Sequence, residues 1–366
     1  MKILVAVDSF KGTLSSIQLN QLIESHFHSL GHETISIPIS DGGEGFIDAL
    51  YHHFNQPLEY FDGKDPLMNF IRVPYILIDD TAYLELHATS GITLIPKHLH
   101  NPLNTTTYGL GLLIKEVISK GAKRIVIGLG GSATNDGGAG MLQALGAKFY
   151  DKDQLLKVPM NGKLIGVVER VDLSEVYELT RDIQFEIASD VTNPLCGEHG
   201  VSHVFAKQKG ASPSQILRLE AHMQNYASII ESTLNQSYQN LPGAGAAGGV
   251  GFAALSVLHA KLHSGIEYMM HLMNLEEKIK SSDLIIVGEG KLDLQTTFGK
   301  APFGIASLAK KYNKKVIGLF GQATSKKSHP YLDEIYAVVP TYASMNESLA
   351  YPKEAFVKML NDVKIP

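Results

Sequence analysis

Gly128-Leu-Gly-Gly-Ser-Ala-Thr-Asn-Asp-Gly-Gly-Ala-Gly140 gathers hydroxyl, amide and carboxylate side chains among glycines. A β-rich run, Arg124 to Ile127, precedes it, and Met141, Leu142, Ala144 and Leu145 follow at helical spacing. Glycines let a backbone approach a ligand closely, and amides at a helix start favour an anion. The loop therefore reads as a ligand site, with Gly130, Gly131, Ser132 and Ala133 as phosphate-contacting candidates. Three further loops put acids beside glycine or lysine: Asp8-Ser-Phe-Lys11, Asp41-Gly-Gly-Glu-Gly45 and Gly288-Glu-Gly-Lys-Leu-Asp293. Such acids and lysines suit divalent cations and anionic substrates, although Asp8 and Asp41 equally fit the caps of following helices.

Pro242-Gly-Ala-Gly-Ala-Ala-Gly-Gly249 contains G-x-G-x-x-G at Gly243, Gly245 and Gly248. No apolar strand precedes it, so the dinucleotide fingerprint lacks its context. Phosphate binding and close packing of a small-residue helix both remain open there. In Asp190-Val-Thr-Asn-Pro-Leu-Cys-Gly197 an acid, a hydroxyl and an amide share a turn. That set suits Mg²⁺ or a hydroxyl ligand, and an Asx-Pro turn explains Asn193-Pro194 as well. Lys207-Gln-Lys-Gly-Ala211 is a small basic loop, read as solvated surface with phosphate contact as the alternative. No Gly-Lys pair is followed by Ser or Thr, so there is no Walker A loop, and the protein-kinase catalytic loop is missing too. The 15 histidines form no metal-binding pattern.

The elements that would position these loops read as two α/β domains, the expectation for 366 residues. Lys2 to Val7 is a buried parallel strand, too short for a signal-peptide core. Ser15 and Gln18 have capping-box spacing, and Leu19, Leu22, Ile23, Phe27 and Leu30 continue a helix that Gly31 ends. Strands at Thr34 to Ile39, Asp283 to Val287, Lys315 to Phe320 and Ile335 to Val339 complete a doubly wound parallel sheet of flavodoxin-like type. That domain is discontinuous, 1–55 plus 281–366. A second α/β domain, 56–280, is inserted, with strands at Ile71 to Ile78, Ala82 to His87, Arg124 to Ile127 and Gln184 to Ala188. Its helices include Gln215 to Leu234 and Val250 to Leu262.

Composition narrows the partners. A net charge of −5 disfavours nucleic acid, which needs a basic surface. No run approaches the roughly 18 apolar residues that cross a bilayer. A single cysteine, Cys196, rules out an intrachain disulfide and fits a cytoplasmic protein.

The motifs together, in order, resemble the type I glycerate kinase family, from Asp8-Ser-Phe-Lys-Gly12 through Asp190-Val-Thr-Asn-Pro-Leu195 and Gln208-Lys-Gly-Ala211 to Gly299-Lys-Ala-Pro302. The resemblance implies transfer of the ATP γ-phosphoryl group to D-glycerate with Mg²⁺, 2-phosphoglycerate being favoured over 3-phosphoglycerate. On that basis Asp190, Lys291 and Lys11 are the catalytic candidates, and Asp8, Ser90, Asn193 and Asp136 the substrate contacts. Gly130, Gly131, Ser132, Ala133, Gly243, Gly245 and Gly248 would meet nucleotide or phosphate, and Glu289, Asp293 and Asp41 would hold the metal. The chain departs from the family pattern at Lys291, where arginine is usual, at His87 beside Ser90, and at Leu112, where an acid is frequent. A hydroxy-acid dehydrogenase and a non-catalytic nucleotide or sugar-acid binder are the rival readings.

Overall fold

The computed structural model describes residues 1–40, 42–292, 301–323 and 329–365. The candidate metal ligands Asp41 and Asp293 lie outside the described residues. Met1–Asp41, Asp48–Asn55 and Gly265–Pro366 form one compact unit, and Gly42–Ile47 with Gln56–Ser264 form the other.

In the first unit five parallel strands lie in the order Glu33–Ser36, Lys2–Val7, Leu284–Leu292, Lys315–Ala323, Glu334–Ala337. Numbered along the chain within this unit, that is the 2-1-3-4-5 order of a flavodoxin-like sheet. Ile3, Val5 and Val7 pack with Leu284 and Ile286 against Leu19, Ile23 and Phe27 of helix Ser16–Ser29. Leu4, Ala6, Ile285 and Val287 are buried as well, which is why these strands read as unbroken apolar runs. The capping box forms: Gln18 N–H donates to Ser15 Oγ at 3.2 Å, and Ser15 N–H to Gln18 Oε1 at 2.9 Å. The second strand stops at Ser36, short of Ile39, because Pro38 has no N–H to continue the ladder.

In the second unit a six-stranded sheet runs Lys261–His263, Gln184–Ala188, Arg124–Gly128, Thr81–Glu85, Phe70–Ile78, Glu59–Lys64. The first four are parallel and the last two antiparallel. Ala82, Leu84, Ile125 and Ile127 join Leu110, Leu113, Leu142 and Phe252 in one buried cluster. Parallel packing leaves the carboxyl ends of four neighbouring strands at one edge, where ligand-binding loops gather in such sheets.

Two boundaries differ from the sequence reading. Helices Gly265–Leu272 and Leu275–Lys280 pack on helix Ala301–Lys311, so the first unit resumes at Gly265 rather than 281. Gly42–Ile47 joins the second unit because Gly45 and Ile47 N–H groups each donate to the Glu85 carboxylate at 3.2 Å. The helix expected over Val250 to Leu262 ends at Ser256, and Lys261–His263 is a strand instead. Among the described residues no helix is long and apolar enough to cross a membrane.

Candidate active site

In the first unit a cleft of about 340 Å³ brings together Asp8, Lys11, Glu289 and Lys291. Strand Leu284–Leu292 outruns Lys2–Val7, its last pairing with that neighbour being Val7 with Gly288. Glu289 and Lys291 therefore stand beyond the shared ladder, next to the loop that leaves Val7. That loop is shaped locally: Asp8 N–H donates to the Gly288 carbonyl at 2.9 Å, and Phe10 N–H to that of Leu14. Gly12 turns it with a φ of +82°, a conformation glycine accepts without strain. Asp8 is buried and Lys11 exposed. Ser15, not Asp8, caps the following helix, which removes the capping explanation for this acid.

The second unit places Ser90, Gly130 to Ala133, Asp190 and Asn193 after the carboxyl ends of parallel strands in one sheet. The loop after Gly128 is fastened on both sides. Ala133 N–H donates to the Ser90 carbonyl at 2.8 Å, Ile92 N–H to that of Gly131 at 2.9 Å, and Thr105 Oγ1 to that of Ala133 at 2.9 Å. His87 joins in: its Nδ1 donates to the Gly131 carbonyl at 3.2 Å, while Nε2 bonds Thr93 Oγ1 at 2.7 Å. The departure at His87 thus braces the loop. Meanwhile the N–H groups of Gly130, Gly131 and Ser132 donate to no other described residue. Three successive amides, with Gly131 at a φ of +61°, are donors of the kind that anions engage.

Lys209 is the residue the sequence reading missed. Far from solvated, it is 4% exposed, and its Nζ donates to Ser132 Oγ and to the Thr134 carbonyl, both at 2.7 Å. Burial lowers its pKa to about 7, against the opposing pull of Asp136. The motif around it, Gln208-Lys-Gly-Ala211, was the available signal. Asp136, expected at the substrate, lies wholly inside the same loop. Its carboxylate accepts from Thr107 N–H and Oγ1 at 2.8 Å each, and from Gly138 and Gly140 N–H groups at 3.2 and 3.3 Å. Burial raises its pKa, partly offset by these donors. It organises the loop from within.

The glycines at 243, 245 and 248 are all buried and meet protein. A Cβ on Gly243 would lie 2.7 Å from Leu262 Cδ2, on Gly245 2.4 Å from the Pro194 carbonyl, and on Gly248 2.1 Å from that of Thr134. The packing explanation therefore accounts for this run, and Asn193 is part of it, accepting Gly245 N–H at 3.0 Å. Gly248→Ala adds a backbone clash to a φ of +76°, and is expected to cost at least about 2 kcal/mol, read as a lowered Tm. A Cβ on Gly130 would likewise lie 2.5 Å from Gly43 Cα, so the 42–45 loop lies against the 128–131 loop.

Asp190 is half-buried at the end of strand Gln184–Ala188, and Ser264 Oγ donates to its Oδ1 at 2.7 Å. The Asn193 side chain donates to the His199 carbonyl at 2.9 Å, which occupies an amide hydrogen expected to meet substrate. Burial, with the Glu220 and Glu231 carboxylates nearby, pushes the Cys196 thiol up to about 12, far from a thiolate nucleophile. Among the described residues no three His, Cys, Asp or Glu side chains cluster to hold a metal. Magnesium is commonly held by one or two carboxylates plus substrate phosphates, so the Asp8 and Glu289 pair fits it.

One unit carries lysines and carboxylates in its strand-end loops and the other carries amides with no acceptor among the described residues, and both are equipment of a phosphotransferase. The chain belongs to the glycerate kinase family, whose model matches residues 3–364. It is 39% identical to the glycerate 2-kinase of Escherichia coli K12 over 355 residues, covering 95% of this chain and 93% of the relative. A Bacillus cereus glycerate kinase is 38% identical, with 97% and 94% covered. A crystal structure assigned as glycerate kinase 2 of Salmonella typhimurium LT2 superposes with a TM-score of 0.81 at 38% identity, covering 98% and 96%. The protein is accordingly a glycerate-phosphorylating enzyme with an alcohol group as acceptor.

Proposed function

We propose that the enzyme transfers the γ-phosphoryl group of ATP to the 2-hydroxyl of D-glycerate, giving 2-phosphoglycerate and ADP. The observation that carries the nucleotide assignment is the run of amides at Gly130, Gly131 and Ser132 with no acceptor among the described residues. They suit phosphate oxygens, which ask for positioned donors and positive charge rather than covalent chemistry. Similarity to the Escherichia coli glycerate 2-kinase supports the 2-hydroxyl as acceptor.

In this reading Asp190 takes the proton of the attacking hydroxyl. The new oxygen–phosphorus bond forms as the bond to the β-phosphate oxygen breaks, and ADP leaves with that electron pair. Lys291 and Lys11 neutralise the glycerate carboxylate or the moving phosphoryl group. Asp8 and Glu289 would hold Mg²⁺, which supplies charge neutralisation at the phosphates, with Asp293 and Asp41 as further candidate ligands. Ser90 acts through its carbonyl, which holds Ala133 in place. Asp136 and the glycines at 243, 245 and 248 are given positioning roles rather than direct contact, because each is enclosed by protein.

Phosphorus NMR of the product made from ATP and D-glycerate tests the assignment. A single 2-phosphoglycerate resonance is expected. A 3-phosphoglycerate resonance would reject the proposed acceptor.

A further inference from the structure

The Lys207–Lys209 turn ends at Gly210, whose φ of +94° and closeness to the His100 carbonyl leave no room for a side chain. Preceding it, helix Val201–Phe205 presents Ser202 Oγ to Asn135 Nδ2 at 3.1 Å. Ser202 and Lys209 of this stretch thus make three hydrogen bonds with the loop that carries Ser132. The two bonds from Lys209 are short, at 2.7 Å, and the side chain has almost no solvent exposure.

Their direction has a chemical consequence. A hydroxyl has one hydrogen to donate and two lone pairs to accept with. Lys209 Nζ donates into one lone pair of Ser132 Oγ, so the serine hydrogen must point elsewhere. No described protein acceptor takes that hydrogen. Ser132 is 7% exposed, so the side chain is held rather than free to sample many rotamers. Beside it are the N–H groups of Gly130, Gly131 and Ser132 itself, which have no acceptor among the described residues. A fourth donor in such a group is what a tetrahedral phosphate with several oxygens can use.

We propose that Lys209 is a positioning residue which, by donating to Ser132 Oγ, aims the serine hydroxyl hydrogen at a phosphate oxygen of the nucleotide. This rests on the nucleotide reading of the 130–132 loop. Lys209 is placed here beneath the loop rather than at the ligand, since it is 4% exposed and two of its three hydrogens go to Ser132 Oγ and the Thr134 carbonyl.

A double-mutant cycle on the full chain tests it, with steady-state kinetics in MgATP and D-glycerate. Ser132→Ala is expected to raise KM for ATP by roughly 10- to 100-fold, the effect of one hydrogen bond to a charged oxygen. It leaves kcat within about threefold and KM for D-glycerate unchanged, since ground state and transition state lose the same contact. Lys209→Met raises KM for ATP by a smaller factor in the wild-type background. In the Ser132→Ala background it adds less than about twofold, because both changes act through one hydroxyl. An equal factor in both backgrounds would overturn the positioning role and leave Lys209 a structural residue. Should Ser132→Ala leave KM for ATP unchanged, the nucleotide reading of the loop itself fails. If Lys209→Met does not fold, Lys209→Gln takes its place in the same cycle under the same criterion.

Discussion

Asp190→Asn is expected to lower kcat by roughly 100- to 10,000-fold, the range lost with a general base. The substitution keeps shape and an oxygen able to accept from Ser264 Oγ, now at 2.7 Å from Oδ1. What it removes is the capacity to take a proton from the attacking hydroxyl. Because the side chain is only half-buried and keeps its partner, Tm should hold within a degree or two on the scale of a surface change. KM for ATP should move little, since phosphate binding is assigned to other loops. Turnover at the wild-type rate by folded Asp190→Asn would remove this residue from the chemistry.

Lys291→Ala is the second large effect, a fall in kcat/KM of roughly 100- to 1,000-fold, as when one preorganised charge-stabilising group is lost. Lys291 is exposed at the end of strand Leu284–Leu292 and lines the cleft with Lys11, Asp8 and Glu289. Truncation there creates no cavity, so activity should fall without loss of stability. Lys291→Arg separates charge from geometry. Arginine keeps the charge and offers a bidentate fork to a carboxylate or phosphate. It should retain activity within about tenfold of wild type, one hydrogen bond's worth, whereas Lys291→Ala does not. Equal loss in both variants would point to a steric rather than an electrostatic role.

The strands were legible because parallel sheets bury both faces, and runs such as Ile3 to Val7 or Leu284 to Val287 carry nothing else. The Ser15–Gln18 box was legible because its physics is local, spanning four residues. Edge strand Glu59–Lys64 escaped notice since one side is exposed and its sequence, Glu-Tyr-Phe-Asp-Gly-Lys, is mixed. The candidate site was half legible. Asp8, Lys11, Glu289 and Lys291 do meet in one cleft, because a doubly wound sheet collects loops at one edge.

Other residues depended on contacts distant along the chain. Gly248 needs to be glycine because of Thr134, 114 positions earlier, and nothing near it in sequence says so. Lys209 looked solvated because lysines usually are, and its burial follows from partners 75 and 77 residues away. Asp136 carries the groups of a ligand site yet spends its carboxylate on Thr107 and on the loop's own Gly138 and Gly140 amides. In the run that most resembled a nucleotide fingerprint each of the three glycines is packed against protein, while the amides without an acceptor among the described residues lie at Gly130 to Ser132.

ADP release by the purified chain, followed with MgATP in the presence and absence of D-glycerate, bears most directly on the central claim. ADP should form continuously only when D-glycerate is present, one ADP for each phosphoglycerate. ADP formation that is absent, or equal with and without D-glycerate, would contradict it.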